Sequence, residues 1–319
     1  MTRIAILDDW QGIAEAAADW SGVRAKADIV FFRDAFASAD ATIAALRDFD
    51  AVLAMRERTR LHADVISQLP RLKLISFTGA RNAAVDIPSC TAAGITVCNT
   101  TGTPSSHATA ELALGLMLAS SRHLIAGDRE MRAGRFQNNV PPGREIAGKT
   151  LGLIGLGYIG ARVARYAQAL DMKIIAWSQN LSAARAADVG VTRVEKADLL
   201  AQSDVISIHL VLSERTRHIV AGPDIALMKP GALLINTSRG PHVDTDALVA
   251  ALNAGKIRAA IDVYDSEPLA ADHPLRSTAN SLLSPHLGYV TADNMPALYR
   301  ASVENLNAWL AGSPIRVVN

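Results

Sequence analysis

The sequence predicts an α/β protein built from two doubly wound domains, each a parallel β-sheet covered by helices. Three observations predict this class. The chain has 319 residues, which is more than one hydrophobic core usually serves. Half of the residues are hydrophobic but only 5% are aromatic, which suits aliphatic strands buried between helices. Short apolar segments alternate with helical patterns in two series, which a stretch of small polar residues separates.

The first series of strands occupies the first hundred residues. Five segments there are apolar, β-branched or aromatic, and helical patterns separate them. Residues 99–104, Asn-Thr-Thr-Gly-Thr-Pro, have the composition of a loop and predict a domain boundary. The predicted strands are Ile4–Leu7, Asp28–Phe32, Ala51–Met55, Leu72–Phe77 and Ile95–Cys98.

The second series follows a long apolar helix, predicted from Ser106 to about Leu124, and a polar loop over Gly134–Pro142. A helix over Gly160–Leu170 follows the first strand of this series. A final helix, about Asp293 to Leu310, is expected to pack on the opening domain. The predicted strands are Leu151–Ile154, Lys173–Trp177, Val205–His209, Ala232–Asn236 and Ala259–Val263.

Composition and spacing exclude several classes of partner and site. The chain has 32 basic and 31 acidic residues, and this balance does not favour nucleic-acid binding. Cys90 and Cys98 lack the spacing of a disulfide framework or a zinc site. His107 and Glu111 stand four apart on a helix without a third ligand, so no metal is predicted. The longest apolar run, 112–119, is too short to span a membrane, and no signal peptide is recognised, which together predict a soluble, cytoplasmic protein.

A glycine-rich motif follows the first strand of the second series. The segment 151–160, Leu-Gly-Leu-Ile-Gly-Leu-Gly-Tyr-Ile-Gly, places Gly-x-Gly-x-x-Gly between a strand and a helix. Gly155 permits the tight turn, Gly157 lets the backbone approach a pyrophosphate, and Gly160 lets helix and strand pack closely. A phosphate would then accept hydrogen bonds from the N–H groups at the start of the helix. The motif predicts a dinucleotide site of the Rossmann type.

The residue that discriminates NAD from NADP in this motif is not acidic here. About 20 positions after the glycines, an Asp or Glu usually binds the adenosine ribose, whereas this chain has Ser178. The Ser178 hydroxyl and the Gln179 and Asn180 amides can donate hydrogen bonds to a 2′-phosphate. The nearest following cation is Arg185. The sequence therefore allows NAD or NADP, with a slight preference for NADP.

Three further segments carry a family resemblance. They are 234–240, Leu-Ile-Asn-Thr-Ser-Arg-Gly, 261–268, Ile-Asp-Val-Tyr-Asp-Ser-Glu-Pro, and 283–288, Leu-Ser-Pro-His-Leu-Gly. With the glycine motif they resemble the D-isomer-specific 2-hydroxyacid dehydrogenases, which include D-lactate, phosphoglycerate, glyoxylate/hydroxypyruvate and formate dehydrogenases. The resemblance implies two Rossmann-like domains with the active site in the cleft between them. Residues 101–287 would bind the dinucleotide, and 1–100 with 288–319 would form the substrate-binding domain.

The resemblance assigns the chemistry to Arg239, Glu267 and His286. Hydride transfer to a 2-oxo acid needs a fixed cation for the carboxylate and carbonyl and a group that can donate a proton. Arg239 supplies a bidentate guanidinium. His286 is the general acid in reduction and the general base in oxidation, and Glu267 would hold its imidazolium in place.

The resemblance also assigns contacts with the cofactor. These contacts add to the three glycines and the segment 178–180. Tyr158 and Ile159 would lie over the glycine turn, and Thr237 and Arg239 at the nicotinamide end. Asp262 would be the acceptor for the carboxamide, with Gly288 beside it. A homodimer through the helix around 111–118 is also expected.

Residues of the first domain are expected to bind substrate. The resemblance places Gly79, Ala80 and Arg81 at the substrate carboxylate, and Arg58 where phosphoglycerate-type members hold a charged substrate. This chain departs from the family in two places: Arg-Asn-Ala-Ala at 81–84 replaces the usual glycine-rich turn, and His-Leu-Val at 209–211 lacks the frequent Pro. Both departures concern the substrate more than the reaction.

The predicted function is hydride transfer between NAD(P) and a small D-2-hydroxy or 2-oxo acid. One alternative is a dinucleotide-sensing binding module like the C-terminal-binding corepressors, which share these motifs, although the sequence shows no interaction tail. A second alternative is a dedicated D-3-phosphoglycerate dehydrogenase. Formate oxidation is less favoured, because a formate site would not need a proton-donating His–Glu pair.

Overall fold

The computed structural model describes residues 1–100 and 106–319. Of these, residues 1–100 with 291–319 form one compact unit, and residues 106–290 form a second. Each unit contains one parallel β-sheet with helices packed on it. The predicted fold class, two doubly wound α/β domains, is confirmed.

The first unit contains a five-stranded parallel sheet with the order β2-β1-β3-β4-β5. The strands β3 and β4 are buried along their whole length, as expected for central strands of a parallel sheet. Its strands are β1 (Thr2–Ile6), β2 (Ala27–Phe31), β3 (Ala51–Ala54), β4 (Leu74–Phe77) and β5 (Thr96–Asn99), and its first helices are α1 (Ala14–Ala17), α2 (Ser21–Arg24), α3 (Ala39–Leu46), α4 (Ala63–Ile66) and α5 (Ile87–Ala92).

Two helices precede the sheet of the second unit: α6 (Ser106–Ser121) and α7 (Leu124–Arg132). The sequence predicted one helix from Ser106 to about Leu124 and assigned nothing to 125–133, whereas the first helix ends at Ser121 and a second begins at Leu124. His123 has a left-handed backbone (φ 52°), which ends α6 and allows the chain to start α7 in a new direction. The predicted loop over 134–142 contains neither helix nor strand.

The sheet of the second unit has seven parallel strands in the order β12-β11-β10-β9-β6-β7-β8. Two strands were not predicted, β8 and β12, which have two and three residues and therefore give little sequence pattern. The strands are β6 (Thr150–Ile154), β7 (Lys173–Trp177), β8 (Thr192–Arg193), β9 (Val205–Ile208), β10 (Leu233–Asn236), β11 (Arg258–Ile261) and β12 (Ser281–Leu283), and the helices between them are α8 (Tyr158–Gln168), α9 (Ala183–Ala187), α10 (Lys196–Gln202), α11 (Gly222–Leu227) and α12 (Thr245–Asn253).

Helices cover both faces of the second sheet. On one face α6 packs against α8 through a buried stripe of its own residues, which include Ala110, Ala113 and Met117. The other face is covered by α10, α11 and α12, whose buried residues include Leu199, Ile225 and Leu248. Since both faces are covered, the strands are continuously apolar rather than alternating. The strand order reverses between β6 and β9, where doubly wound sheets bind ligands.

The last helix, α13 (Asn294–Leu310), packs on the first unit, as the sequence predicted. Its contacts include α1, α2 and β4. The buried Asn305 donates hydrogen bonds to Ser76 Oγ of β4 (3.1 Å) and to the carbonyl of Asn99 (2.9 Å). The C-terminal part of the chain therefore completes the core of the opening domain.

Candidate functional site

The three predicted catalytic residues follow three neighbouring parallel strands. Arg239 comes after β10, Glu267 after β11 and His286 after β12, and β11 pairs with both of the others. The carboxyl ends of parallel strands lie at one edge of a sheet, so the connections that leave them start side by side. The topology thus brings to one edge residues that are distant in sequence.

His286 and Glu267 form a direct pair. His286 Nδ1 lies 2.6 Å from Glu267 Oε2, and both side chains are largely buried, with exposed fractions of 13% and 15%. The other oxygen of the same carboxylate, Oε1, accepts the backbone N–H of Tyr264 at 2.9 Å. The Tyr289 ring packs edge-on against the imidazole, with ring centroids 5.4 Å apart. These contacts fix the imidazole and leave its Nε2 as the atom that can exchange a proton.

The loop that carries His286 is held by Asp262, a fully buried residue just after β11. Its Oδ1 accepts the Ser284 hydroxyl (2.5 Å) and the Leu287 N–H (2.8 Å), and its Oδ2 accepts the Gly288 N–H (3.0 Å). Burial raises the pKa of Asp262, while these hydrogen bonds and the nearby His286 lower it. His286 itself has a left-handed backbone (φ 55°), which this loop maintains. Asp262 therefore positions the histidine, and its contact with a carboxamide stays a prediction.

Arg239 lies in a turn fixed by the residues around it. Asn236 Nδ2 donates to the Arg239 carbonyl (2.8 Å), and Ser238 Oγ donates to the Ile208 carbonyl (2.8 Å). Arg239 is half-buried, and its Nη1 lies 2.6 Å from the Ser238 carbonyl. A Cβ on Gly240 would lie 2.1 Å from the backbone of Tyr264, so this turn packs directly against the loop that carries Glu267.

The glycine turn has the geometry that a pyrophosphate needs. Gly155 has φ +103°, and a Cβ there would lie 2.4 Å from the His209 carbonyl oxygen. A Cβ on Gly160 would lie 2.2 Å from the Gly155 oxygen, so helix α8 and the turn are in close contact. At Gly157, by contrast, no atom of the described residues would lie within 4 Å of a Cβ. This open side, together with a helix start that no side chain caps, fits an anionic group of a dinucleotide.

Other predicted cofactor residues lie on the same sheet edge. Tyr158 is almost fully exposed and Ile159 half-buried at the start of α8. Thr237 is buried, and its hydroxyl has no hydrogen-bond partner within residues 1–100 and 106–319, as expected of a group that awaits a ligand. Gly288 accepts a hydrogen bond from Thr109 Oγ1 of α6 at 2.9 Å.

The segment predicted to discriminate NAD from NADP directly follows β7. Ser178 is partly exposed, and Gln179 and Asn180 are exposed. The Leu181 N–H donates to the Ser178 carbonyl at 3.1 Å, so the chain turns back here. The side chains of this turn are therefore accessible to a cofactor that lies along the carboxyl edge.

In the first unit, a tight loop after β4 carries the predicted carboxylate-binding residues. Gly79 has φ +99°, and its N–H donates to Thr100 Oγ1 at 2.8 Å. Ala80 and Arg81 are exposed. The Arg56 side chain crosses over Gly79, where a Cβ would lie 2.0 Å from Arg56 Nη1. The structure therefore places a guanidinium over this loop, and it is that of Arg56.

Arg58 occupies a different environment from the one expected for a substrate ligand. Only 6% of it is exposed, its Nη1 donates to the Asp8 carbonyl at 2.6 Å, and its guanidinium stacks on Trp10 at 4.1 Å from the ring centroid. The Asp8 carboxylate accepts the Thr59 hydroxyl at 2.9 Å. Burial raises the pKa of this carboxyl to about 6. These contacts stabilise the unit itself, and a substrate contact by Arg58 stays a prediction.

Sequence reasoning missed two residues that support the site. Tyr264 donates its hydroxyl to the Ser284 carbonyl at 2.9 Å, and Ser284 binds Asp262. Both contacts depend on the pairing of β11 with β12, and β12 was not predicted. The usable signal was that a Tyr and a Ser closely follow the ends of two apolar segments.

Residues 1–100 and 106–319 contain neither a candidate membrane span nor a candidate metal cluster. No helix there is both long and apolar enough to cross a membrane. No group of three or more His, Cys, Asp or Glu side chains could hold a metal ion in that part of the chain. His107 and Glu111 are the pair with the spacing of metal ligands. The Nδ1 atom of His107 lies 3.1 Å from an Arg162 nitrogen.

Comparison with known proteins indicates one family. Residues 114–288 match the family model described as D-isomer specific 2-hydroxyacid dehydrogenase, NAD binding domain. The chain is 38% identical to a glyoxylate reductase of Aeropyrum pernix over 82% of its length and 80% of that protein. It is 40% identical to a hydroxypyruvate reductase of Thermotoga maritima, over 76% of this chain and 79% of that protein.

Among solved structures, a phosphoglycerate oxidoreductase from Vibrio cholerae matches with a TM-score of 0.91 and 36% identity, over 98% of this chain and 100% of that chain. The family model, the sequence relatives and the fold therefore indicate the same family. The chain belongs to the D-isomer-specific 2-hydroxyacid dehydrogenase family and is an NAD(P)-dependent oxidoreductase.

Proposed function

We propose that this enzyme reduces a small 2-oxo acid of the glyoxylate or hydroxypyruvate type to the D-2-hydroxy acid. The observation that carries the proposal is the buried pair of His286 and Glu267, 2.6 Å apart, on the sheet edge that also carries Arg239. A buried imidazole against a carboxylate is suited to transfer a proton to or from a substrate oxygen. The corepressor-like alternative shares these motifs, so turnover of a 2-oxo acid is what separates it from this proposal.

Each of the three residues has a distinct role in this proposal. A bound nicotinamide supplies the hydride in reduction and accepts it in oxidation. The Arg239 guanidinium binds the substrate carboxylate and polarises the carbonyl. His286 gives the proton of Nε2 to the carbonyl oxygen, and in oxidation the neutral imidazole takes it back. Glu267 holds Nδ1–H, orients the ring and stabilises the imidazolium.

The relatives and the first unit support the proposed substrate class. The glyoxylate and hydroxypyruvate reductases to which the chain is similar act on small 2-oxo acids. We assign residues 1–100 with 288–319 to substrate binding and 101–287 to the dinucleotide. The N–H groups of the loop around Gly79 and the Arg56 guanidinium over it would bind the carboxylate. Since Arg58 is engaged with Trp10 and Asp8, a phosphorylated substrate is less favoured.

The proposed cofactor is NADP, with NAD as the alternative. Ser178 removes the carboxylate that would repel a 2′-phosphate, and exposed Gln179 and Asn180 can donate hydrogen bonds. We also propose that the enzyme works in the cytoplasm, which stays a prediction from the sequence.

We propose a homodimer through the region that follows α6. The buried stripe of α6 packs within its own unit, so the dimer surface predicted at 111–118 is partly occupied. Four large apolar side chains just beyond it are 55–63% exposed. A second copy of the chain would cover this apolar surface, which is otherwise unfavourable in water. The surface consists of Leu124, Ile125, Met131 and Phe136.

The test is a panel of 2-oxo acids, assayed with NADH and NADPH in parallel by absorbance of the reduced nicotinamide. Arg239→Ala should lower kcat/KM by roughly 10²- to 10³-fold, because it removes the charged donor at the carbonyl. Arg239→Lys keeps the charge but lacks the planar fork, and should lose less. The dissociation constant of the dinucleotide should change less than threefold in both variants.

Two results would contradict the proposal. One is an Arg239→Ala variant with unchanged kcat/KM across the panel. The other is a wild-type protein that binds a dinucleotide but turns over no 2-oxo acid, which would favour the corepressor-like alternative. Turnover confined to phosphohydroxypyruvate would favour a dedicated phosphoglycerate dehydrogenase.

A further inference from the structure

Two segments that are distant in sequence meet beside the end of β7. Ser178 stands there at the position where a carboxylate would select NAD. Gln179 Nε2 lies 3.3 Å from the carbonyl oxygen of Arg215, a residue 36 positions further along the chain. Arg215 belongs to the short 3₁₀ turn Glu214–Thr216 after β9. The fold therefore brings the backbone of an arginine next to the turn that would face the adenosine ribose.

The main chain of Arg215 is held in place by its own turn. Thr216 Oγ1 accepts the Ser213 N–H at 2.8 Å and donates to the Val211 carbonyl at 2.8 Å. These two hydrogen bonds join the end of the 3₁₀ turn to the residues just before it, while the Arg215 side chain is exposed. A fixed backbone with a long exposed side chain is suited to bind a phosphate that arrives with a ligand.

Arg215 stands outside the ion pair near this turn. None of the ion pairs found within residues 1–100 and 106–319 includes Arg215. Arg193, whose Nε donates to the Leu181 carbonyl beside the same turn, is paired with Glu195 at 2.7 Å. The acid adjacent to Arg215 in its own turn is Glu214, which is exposed and screened by water.

We propose that Arg215 binds the 2′-phosphate of NADP and so makes this enzyme prefer NADP to NAD. The inference rests on the proposed function, because it assumes a dinucleotide on the glycine turn. A 2′-phosphate carries nearly two negative charges, and a guanidinium can bind two of its oxygens at once. Arg215 thus supplies from the β9 connection the cation that the segment after β7 lacks.

The experiment measures dissociation constants by titration of the intact protein with NADPH, NADH, 2′,5′-ADP and 5′-AMP, the last two lacking nicotinamide. Arg215→Ala should weaken NADPH and 2′,5′-ADP by roughly 10- to 30-fold and change NADH and 5′-AMP less than twofold. Arg215→Lys should retain part of the preference. Arg217→Ala is the matched control, since it removes an exposed arginine two residues away and should leave the NADPH/NADH ratio unchanged. Thermal melts check that all variants are folded.

Ionic strength gives a second measurement. In the wild type, NADPH affinity should fall between 50 and 300 mM salt more steeply than NADH affinity, and Arg215→Ala should remove this difference. The inference is wrong if wild-type protein binds NADH at least as tightly as NADPH, if Arg215→Ala weakens both equally, or if only Arg217→Ala lowers the ratio. If the wild type binds neither dinucleotide, the proposed function fails as well.

Discussion

Replacing Glu267 by glutamine separates the orientation of His286 from the charge beside it. The two carboxylate oxygens have different partners: Oε2 pairs with His286 Nδ1 at 2.6 Å, and Oε1 accepts the Tyr264 N–H at 2.9 Å. A glutamine has nearly the same shape but one acceptor oxygen and an amide that donates. At least one of the two donors therefore loses its acceptor, and the imidazolium loses its counter-charge.

The size of the effect follows from this pair. A hydrogen bond between charged partners contributes roughly 1.5–3 kcal/mol, and both side chains are largely buried, so solvent screens it little. If Glu267 acts mainly on the protonated ring during proton transfer, this free energy appears in the barrier. At about 1.36 kcal/mol for each factor of ten, kcat for reduction should fall roughly 10- to 150-fold.

The assay is steady-state reduction of glyoxylate and hydroxypyruvate, with the dissociation constant of the dinucleotide measured by fluorescence titration. We expect kcat and kcat/KM to fall together and dinucleotide affinity to stay within threefold. Asp265→Asn is the matched control: Asp265 lies on the same loop but its carboxylate binds Thr245 Oγ1 at 2.7 Å, so activity should be unchanged. If Glu267→Gln retains more than a third of wild-type kcat, the carboxylate does not assist the histidine and the assigned role is wrong.

Three further perturbations test the cofactor turn, the first unit and the assembly. Gly160→Ala would place a Cβ 2.2 Å from the Gly155 oxygen, so dinucleotide affinity should drop at least tenfold in a fluorescence titration; near-normal affinity would contradict the assigned turn. Burial raises the pKa of Asp8 from 3.8 to about 6. Asp8 therefore stabilises the fold fully below about pH 4, and this contribution is lost as the pH rises through 6. In reversible urea unfolding, the free energy of unfolding of Asp8→Asn relative to that of the wild type should therefore rise by up to about 3 kcal/mol between pH 4 and 7. A pH-independent difference would reject this. In sedimentation velocity, Phe136→Glu should shift a dimer toward monomer. Leu227→Glu, at an exposed apolar residue on α11, should not, and identical behaviour of the two variants would contradict the proposed dimer surface.

The motifs proposed to carry the chemistry could be recognised from local sequence because their requirements are local. A glycine turn between strand and helix needs glycines at fixed spacing, and 155–160 provides them. Arg239 and His286 follow apolar segments, and parallel strands deliver such residues to one sheet edge. The fold class was equally accessible, because short aliphatic strands that alternate with helices leave few other arrangements.

Only the tertiary structure decided which side chains meet. The strand β12 is three residues long, yet its pairing with β11 brings Ser284 and Leu287 onto Asp262 and His286 onto Glu267. The partners of Arg58 depend on strands β1 and β3 lying side by side. Such contacts join positions far apart in the chain, and no local pattern encodes them, because their distances are set by how strands and loops pack.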